Sequence, residues 1–352
     1  MSINEATDVL PPEAAAPARD PFRWLMLHVP GVALTATIAI AATFLHRVPG
    51  FGGLSPLILS ILLGMALHNI IGAPAVAKPG ITFSLRRVLR AAIVLLGLQL
   101  TLFQIASVGV TGIGGTVITL AATFFFTLWV GRRLGIERQL TTLIAAGTSI
   151  CGASAVVATN AVVDGGDEDV AYAIATVTVF GSISMVLFPF LNGFIHLDPQ
   201  GFGLWTGSSI HEVAQVVAAA FQDGTVAGQF GTIVKLTRVL MLAPVVLIVA
   251  YVWSRGGNSK DDGAPRNKIA VPWFAFGFLG MVVLNSFLPA MPAIHANAAA
   301  ITIFMLAMAL AAMGLETDIA KLKAKGFRPL ALGASAWVFI TCFGLAMTFL
   351  AV

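Results

Sequence analysis

The chain has 352 residues, of which 58% are hydrophobic and only 10% charged, with a mean hydropathy of +0.92. That balance lies far outside the range of a soluble domain and marks an integral membrane protein. The net charge of +4 comes from basic loops between apolar stretches, so nucleic acid is not an expected partner, and two cysteines, Cys151 and Cys342, do not make a disulfide framework.

Residues 1–28 are polar, with Pro11, Pro12, Pro17, Glu5, Asp8 and Glu13, and lack the basic-then-apolar order of a cleaved signal. They read as a flexible cytoplasmic tail ahead of one transporter domain, 29–352. A membrane span needs about 20 predominantly apolar residues. Stretches of that kind lie near 31–45, 54–71, 88–107, 110–131, 169–191, 226–253, 272–289, 296–320 and 327–350. Two further apolar segments, 138–163 and 202–221, are interrupted by polar residues. The hydrophilic stretch 254–271 carries Arg255, Lys260, Asp261, Asp262, Arg266 and Lys268. The expected fold is an all-α polytopic membrane protein of about 11 membrane segments, or 9 spans plus 2 re-entrant hairpins.

Basic residues stay on the cytoplasmic side. With the N-terminus inside, the inner loops hold Arg19 and Arg23; Lys78, Arg86, Arg87 and Arg90; Arg132, Arg133 and Arg138; Arg255, Lys260, Arg266 and Lys268; and Lys321, Lys323, Lys325 and Arg328. The outer loops hold Arg47, and the stretch with Asp164, Asp167, Glu168 and Asp169 is placed outside with no basic residue. The C-terminus is then outside. Crossing and re-entrant segments leave this parity the same.

Two kinds of internal similarity follow. LGMALHN at 63–69 recurs as LGMVVLN at 279–285, an offset of 216, and GLQLTL at 97–102 recurs as GLETDI at 314–319, an offset of 217. The paired segments run in opposite directions, which is an inverted repeat with halves at about 29–191 and 202–352. The second similarity joins the interruptions themselves, GTSICGASAVVA at 147–158 and GSSIHEVAQVVA at 207–218, at an offset of 60. If both segments cross, these two are parallel and do not fit the inverted scheme. Clustered Gly, Ser and Thr inside apolar helices line cavities, because a freed backbone group in hydrocarbon costs several kcal/mol. Duplicated interrupted segments point to the substrate site of a secondary transporter.

Few ionisable residues remain inside the apolar segments. Lys235 and Arg238 are three apart on one helix face, roughly 13–18 Å from a helix start near 226, close to the midplane. A charge there costs at least about 2.5–3.5 kcal/mol and marks a functional site, unless both side chains snorkel outward. Two cations facing a cavity suit an anionic substrate. In the first break Thr148, Ser149 and Gly152 free backbone groups, and the helix that follows offers N–H donors to an anion. Ser208 and Ser209 stand at the equivalent place in the second break, followed by His211, Glu212 and Gln215. Glu212 is expected to bind a coupling cation or proton, and His211 to titrate near neutrality; the bland alternative is that Glu212 forms a structural ion pair with Lys235 or Arg238. The string HEVAQ lacks the second His of a zinc-protease motif, so no metal is expected. Asn160 faces either the cavity or a neighbouring helix, and Asn69, Gln99 and Asn285 read as hydrogen-bonding glue between helices. No phosphate-loop motif is present, so ATP is not the driving force, and no cofactor or enzyme activity is expected.

The runs LAAGTSICGASAVVATNAVV, LWTGSSIHEVAQVVAAAF, TIVKLTRV and LGMALHN together resemble the YeiH-type family of sulfate exporters, over most of the chain from about residue 30 onward. The resemblance implies the bile acid/auxin/arsenite-type transporter superfamily, built from inverted repeats around crossed, interrupted helices. It implies secondary, cation-coupled transport in a bacterial inner membrane, with organosulfonate metabolism linked to some relatives. By position, the helix-break sites of that superfamily fall on Thr148, Ser149, Ser208, Ser209, His211 and Glu212. Two parallel crossing segments would depart from the antiparallel crossed pair of the superfamily. The expected function is secondary active transport of a small anion, sulfate, sulfite or organosulfonate-like, coupled to a proton or sodium, by alternating access. The other reading is an anion-selective channel. Membrane lipid and a second copy of the chain in a homo-oligomer complete the expected partners.

Overall fold

The structure, a computed structural model, describes residues 21–255, 273–287, 292–318 and 326–351. The tail up to residue 20, the loop charges Lys260, Asp261, Asp262, Arg266 and Lys268, and Lys321, Lys323 and Lys325 lie outside the described residues. The described chain is helical throughout: α1 (Pro21–Leu45), α2 (Pro56–Ile70), α3 (Lys78–Phe83), α4 (Leu89–Leu96), α5 (Leu102–Ser107), α6 (Gly109–Arg133), α7 (Arg138–Ser149), α8 (Ala153–Val163), α9 (Asp167–Ile195), α10 (Pro199–Ser209), α11 (Val213–Ala220), α12 (Thr225–Leu240), α13 (Leu242–Arg255), α14 (Trp273–Phe287), α15 (Pro292–Glu316) and α16 (Phe327–Ala351). Long apolar stretches of α1, α6, α9, α12 with α13, α15 and α16 are sufficient to cross a membrane, and α2, α8 and α14 are shorter apolar helices.

Two boundaries differ from expectation. Helix α1 starts at Pro21, inside the stretch read as a tail. The span expected at 88–107 instead runs from Lys78 through a π-turn at Ser84–Val88 into α4 and ends in a 3₁₀ turn at Gly97–Gln99. Exposed Arg86, Arg87 and Arg90 hide its first half from a hydropathy window. A capping box between Thr101 and Gln104 then starts α5 as a separate helix.

Both interrupted segments fold back on themselves. Gly165, just beyond α8, stands beside Gln139 and Leu143 of α7, and Gly147 faces Val156, so α7 and α8 are antiparallel. Gly203 and Gly207 of α10 approach Ala227, Gly231 and Val234 of α12 in matching order, so those two helices run parallel. Phe221 against Gly228 and Ala220 against Gly231 make α11 antiparallel to α12, and hence to α10.

The two fold-backs open toward opposite ends of the molecule. The first opens where Leu140, Val163, Tyr172, Trp253 and Leu332 cluster and the Arg138 guanidinium lies 4.3 Å over the Trp253 ring. The second opens where Gln222 accepts from Ser55 N at 2.8 Å and donates to Gly53 O at 2.7 Å. The acidic stretch Asp164–Asp169, expected on the side away from the basic loops, therefore stands at the same end as Arg138. Folding back returns the chain to the end it left, and Asp167, Glu168 and Asp169 there fill the first turn of α9, where the helix dipole favours negative charge.

The helices sort into two groups. In one, α2 packs along α15 and α4 along α14, with α1, α3 and α5 beside them; in the other, α6 packs on α16 and both surround the fold-backs with α9, α12 and α13. The groups meet chiefly through α11 and α12. Within the first group a bond occurs twice: Asn69 Nδ2 donates to Thr317 O and Asn285 Nδ2 to Leu100 O, each at 2.9 Å. These are the asparagines of the two LGM motifs, each reaching the other motif pair, and both act as the interhelical glue expected of them. The close approaches match as well, with Gly97 against Phe278 and Met281 and Gly314 against Ile61 and Met65.

Candidate functional site

The tips of the two fold-backs meet inside the second group. Helix α7 ends at Ser149 and α10 at Ser209, leaving carbonyls without an intrahelical partner, which must be satisfied away from water. Arg238 and Lys235 satisfy them. Arg238 Nε donates to Ser149 O at 3.1 Å, Nη2 to Thr148 O at 3.0 Å, and Nη1 to Ser208 O at 2.6 Å, with Gly207 O and Ile210 O at 3.4 and 3.3 Å. Lys235 Nζ donates to Ile150 O at 2.9 Å and Ile210 O at 2.7 Å. Each cation therefore ties one tip to the other. Both are 0% exposed, so they do not snorkel. Among the described residues one N–H of Arg238 Nη2 and one of the three Lys235 hydrogens remain without a protein acceptor.

The N-terminal ends of the returning helices carry the opposite arrangement. Glu212 Oε1 accepts from Ala153 N, the first residue of α8, at 2.6 Å. The same carboxylate caps the backbone of its own helix α11, and the Gln215 side chain accepts from Glu212 N at 3.1 Å in return. One carboxylate thus caps two helices from two fold-backs. Gly152 makes this possible: its φ of +69° suits glycine, and a Cβ there would collide with the Glu212 carboxylate. Among the described residues Glu212 forms no direct ion pair with Lys235 or Arg238, unlike the bland reading of it. Both attractions run instead through the backbone of the tips.

The remaining candidate residues divide by distance. His211 is 1% exposed beside Glu212, and its Nδ1 has no partner among the described residues. Gln215 Nε2 donates to Thr178 O and Ser182 Oγ of α9, both at 3.1 Å, and reaches Met313 Sδ of α15 at 3.7 Å. The hydroxyls of Ser149 and Ser208 turn back to carbonyls of their own helices, Ala145 O and Trp205 O, and that of Ser209 donates to Ile340 O of α16 at 3.2 Å. Asn160 lies about 12 Å along α8 from Gly152, where its Oδ1 accepts from Gly165 N at 2.8 Å. Sequence reasoning misses Thr178, Ser182 and Met313; the small residues Gly181, Ser182 and Ser184 in the long apolar α9 are the signal that marks the place. A narrow crevice beside the tips, lined by Thr116, Thr119, Ser208, Gly344 and Thr348, is too tight to admit water. Among the described residues no three His, Cys, Asp or Glu side chains converge to hold a metal.

The comparisons with known proteins agree in kind. The family model described as Conserved hypothetical protein 698 matches residues 30–333. A UPF0324 membrane protein of Pseudomonas putida is 38% identical over 325 residues, covering 90% of this chain and 92% of its own length. The UPF0324 inner membrane proteins YeiH of Salmonella typhimurium and Escherichia coli K12 are each 39% identical, over 322 and 329 residues, covering 89% and 90% of this chain and 91% and 93% of their own lengths. With long apolar helices throughout and a match over nearly its whole length, the chain belongs to the UPF0324 family of membrane proteins, which includes YeiH.

Proposed function

We propose that the protein is a secondary transporter of a small anion, sulfate, sulfite or organosulfonate-like, working by alternating access. The observation that carries this reading is the charge at the meeting tips. Lys235 and Arg238 bring two positive charges and Glu212 one negative, all buried. The helix ends contribute about half a charge each and cancel, two C-terminal against two N-terminal. One unit of positive charge is left over in a buried place, where it is costly unless paired. An anion held by the spare N–H groups of Arg238 and Lys235 neutralises it.

The topology that goes with this reading has nine crossings, α1, α2, α3 with α4, α6, α9, α12 with α13, α14, α15 and α16, and two re-entrant hairpins. The N-terminus is cytoplasmic and the C-terminus outside, by the basic-loop rule. Two inverted repeats then interlock. The offset of 216–217 relates α2 to α14, α4 to α15 and α6 to α16. The offset of 60 relates the first hairpin with α9 to the second with α12 and α13. Hairpins entering from opposite sides make the second pair inverted too, which removes the conflict that parallel crossings would create. Moving the hairpin group against the α2, α4, α14 and α15 group would expose the tips to either side in turn.

Counterflow of labelled sulfate, sulfite and taurine in proteoliposomes tests the reading. Lys235→Ala or Arg238→Ala should weaken transport roughly 10–100-fold, the loss of a charge-assisted hydrogen bond of about 1.5–3 kcal/mol. Wild-type transport by either variant, in protein that inserts normally, would reject it.

A further inference from the structure

We propose that the Glu212 carboxylate is a tethered competitor of the substrate anion, holding the helix N-termini that complete the anion site beside Lys235 and Arg238 and releasing them on protonation, so that each anion binds together with one proton. The proposal rests on the anion reading above and goes beyond it by naming what the anion must displace. The C-terminal ends of α7 and α10 present carbonyls, which repel an anion and are already taken by Arg238 and Lys235. The backbone that attracts an anion at the tips is the paired N-termini of α8 and α11. Glu212 occupies both, accepting from Ala153 N and from the first turn of α11, with the room for it left by Gly152. A carboxylate and a substrate anion side by side in a buried site repel strongly. The carboxylate leaves at least cost as the neutral acid. The proton comes from bulk water and stays on Glu212, so anion and proton travel in the same direction.

Other titratable groups bear on this site. Lys235 of α12 and Cys151 of the first tip face Glu212, with Arg238 and His211 completing the cluster. Among the described residues, helices α9 and α15 present Thr178, Gly181, Ser182 and Met313 to the adjacent Gln215, none with a titratable side chain.

Sulfate is the probe, because its own charge does not change between about pH 5 and pH 8, the range of ordinary histidine titration. Binding to the full-length protein is measured by calorimetry, with proton uptake read from a dye in weakly buffered solution. Wild type should bind sulfate up to about tenfold more tightly for each unit the pH falls, taking up close to one proton per site. Glu212→Gln should bind with no pH dependence, and His211→Gln should keep it. Sulfate binding that is independent of pH and takes up no proton would overturn the proposal and leave the anion site standing. Persistent pH dependence in Glu212→Gln would also overturn it. Absence of sulfate binding by wild type and Glu212→Gln at every pH would sink the anion reading and this proposal together. If Glu212→Gln does not assemble, proton uptake by wild type decides alone.

Discussion

Arg238 is fully buried and spends its guanidinium on carbonyls from both tips, at Thr148, Ser149, Gly207, Ser208 and Ile210. A planar fork with five donors fits that task, and an ammonium does not. Arg238→Lys keeps the charge and leaves several carbonyls unpaired, at about 1–3 kcal/mol each. It should lower the melting temperature in detergent by several degrees; a variant melting with wild type would mean that other groups serve these carbonyls. Lys235, Arg238 and Glu212 are legible in the sequence because charge inside an apolar helix is conspicuous. Their partners are not, since Arg238 reaches back 89 residues to Ser149 O and Glu212 reaches 59 residues to Ala153 N. The link between Glu212 and Gln215 was available locally, as an acid and an amide three apart at a helix start.

At the scale of elements, glycines set how closely the hairpins seat. Gly207 of α10 lies against Gly231 and Val234 of α12, and backbone at that distance leaves no room for a side chain. Gly207→Leu should separate α10 from α12, destabilise by about 1–3 kcal/mol, and abolish sulfate binding; unchanged calorimetric binding would show that the tips tolerate the shift. The asparagine bonds make a second prediction. Asn69 and Asn285 make equivalent bonds to Thr317 O and Leu100 O, and Asn69→Ala and Asn285→Ala should each destabilise, by about 0.6 kcal/mol on average for one such bond in membranes, with more lost at Asn285, whose Oδ1 also meets His295 Nε2 at 2.6 Å. Denaturant unfolding in mixed micelles reads this, and wild-type stability in both variants would argue against these bonds as interhelical glue. The interruptions were legible in the Gly, Ser and Thr clusters, but not whether each helix continues or turns back. That depends on residues remote from the break: Gly165 beside Gln139 in one hairpin, and α12 packed against both arms of the other.

At the scale of the molecule, the two helix groups touch through few elements, and transport by moving one against the other requires that contact to change. Gln104 of α5 and Gln229 of α12 meet across it at 2.8 Å. Cysteines at both positions, bridged by a bis-methanethiosulfonate reagent, with Cys342→Ser removing the exposed native thiol, should stop transport on bridging and restore it on reduction. Full transport by the cross-linked protein would mean that these groups do not move apart there. What the sequence determined alone is the solvent, the helical class, the repeat offsets and the buried charges, because each is written in local composition and spacing. Only the tertiary structure decided that the breaks are fold-backs, that the acidic stretch stands with Arg138, and that one carboxylate caps two helices. The reason is physical: a buried backbone group must find a partner, and which partner it finds depends on what the fold brings beside it.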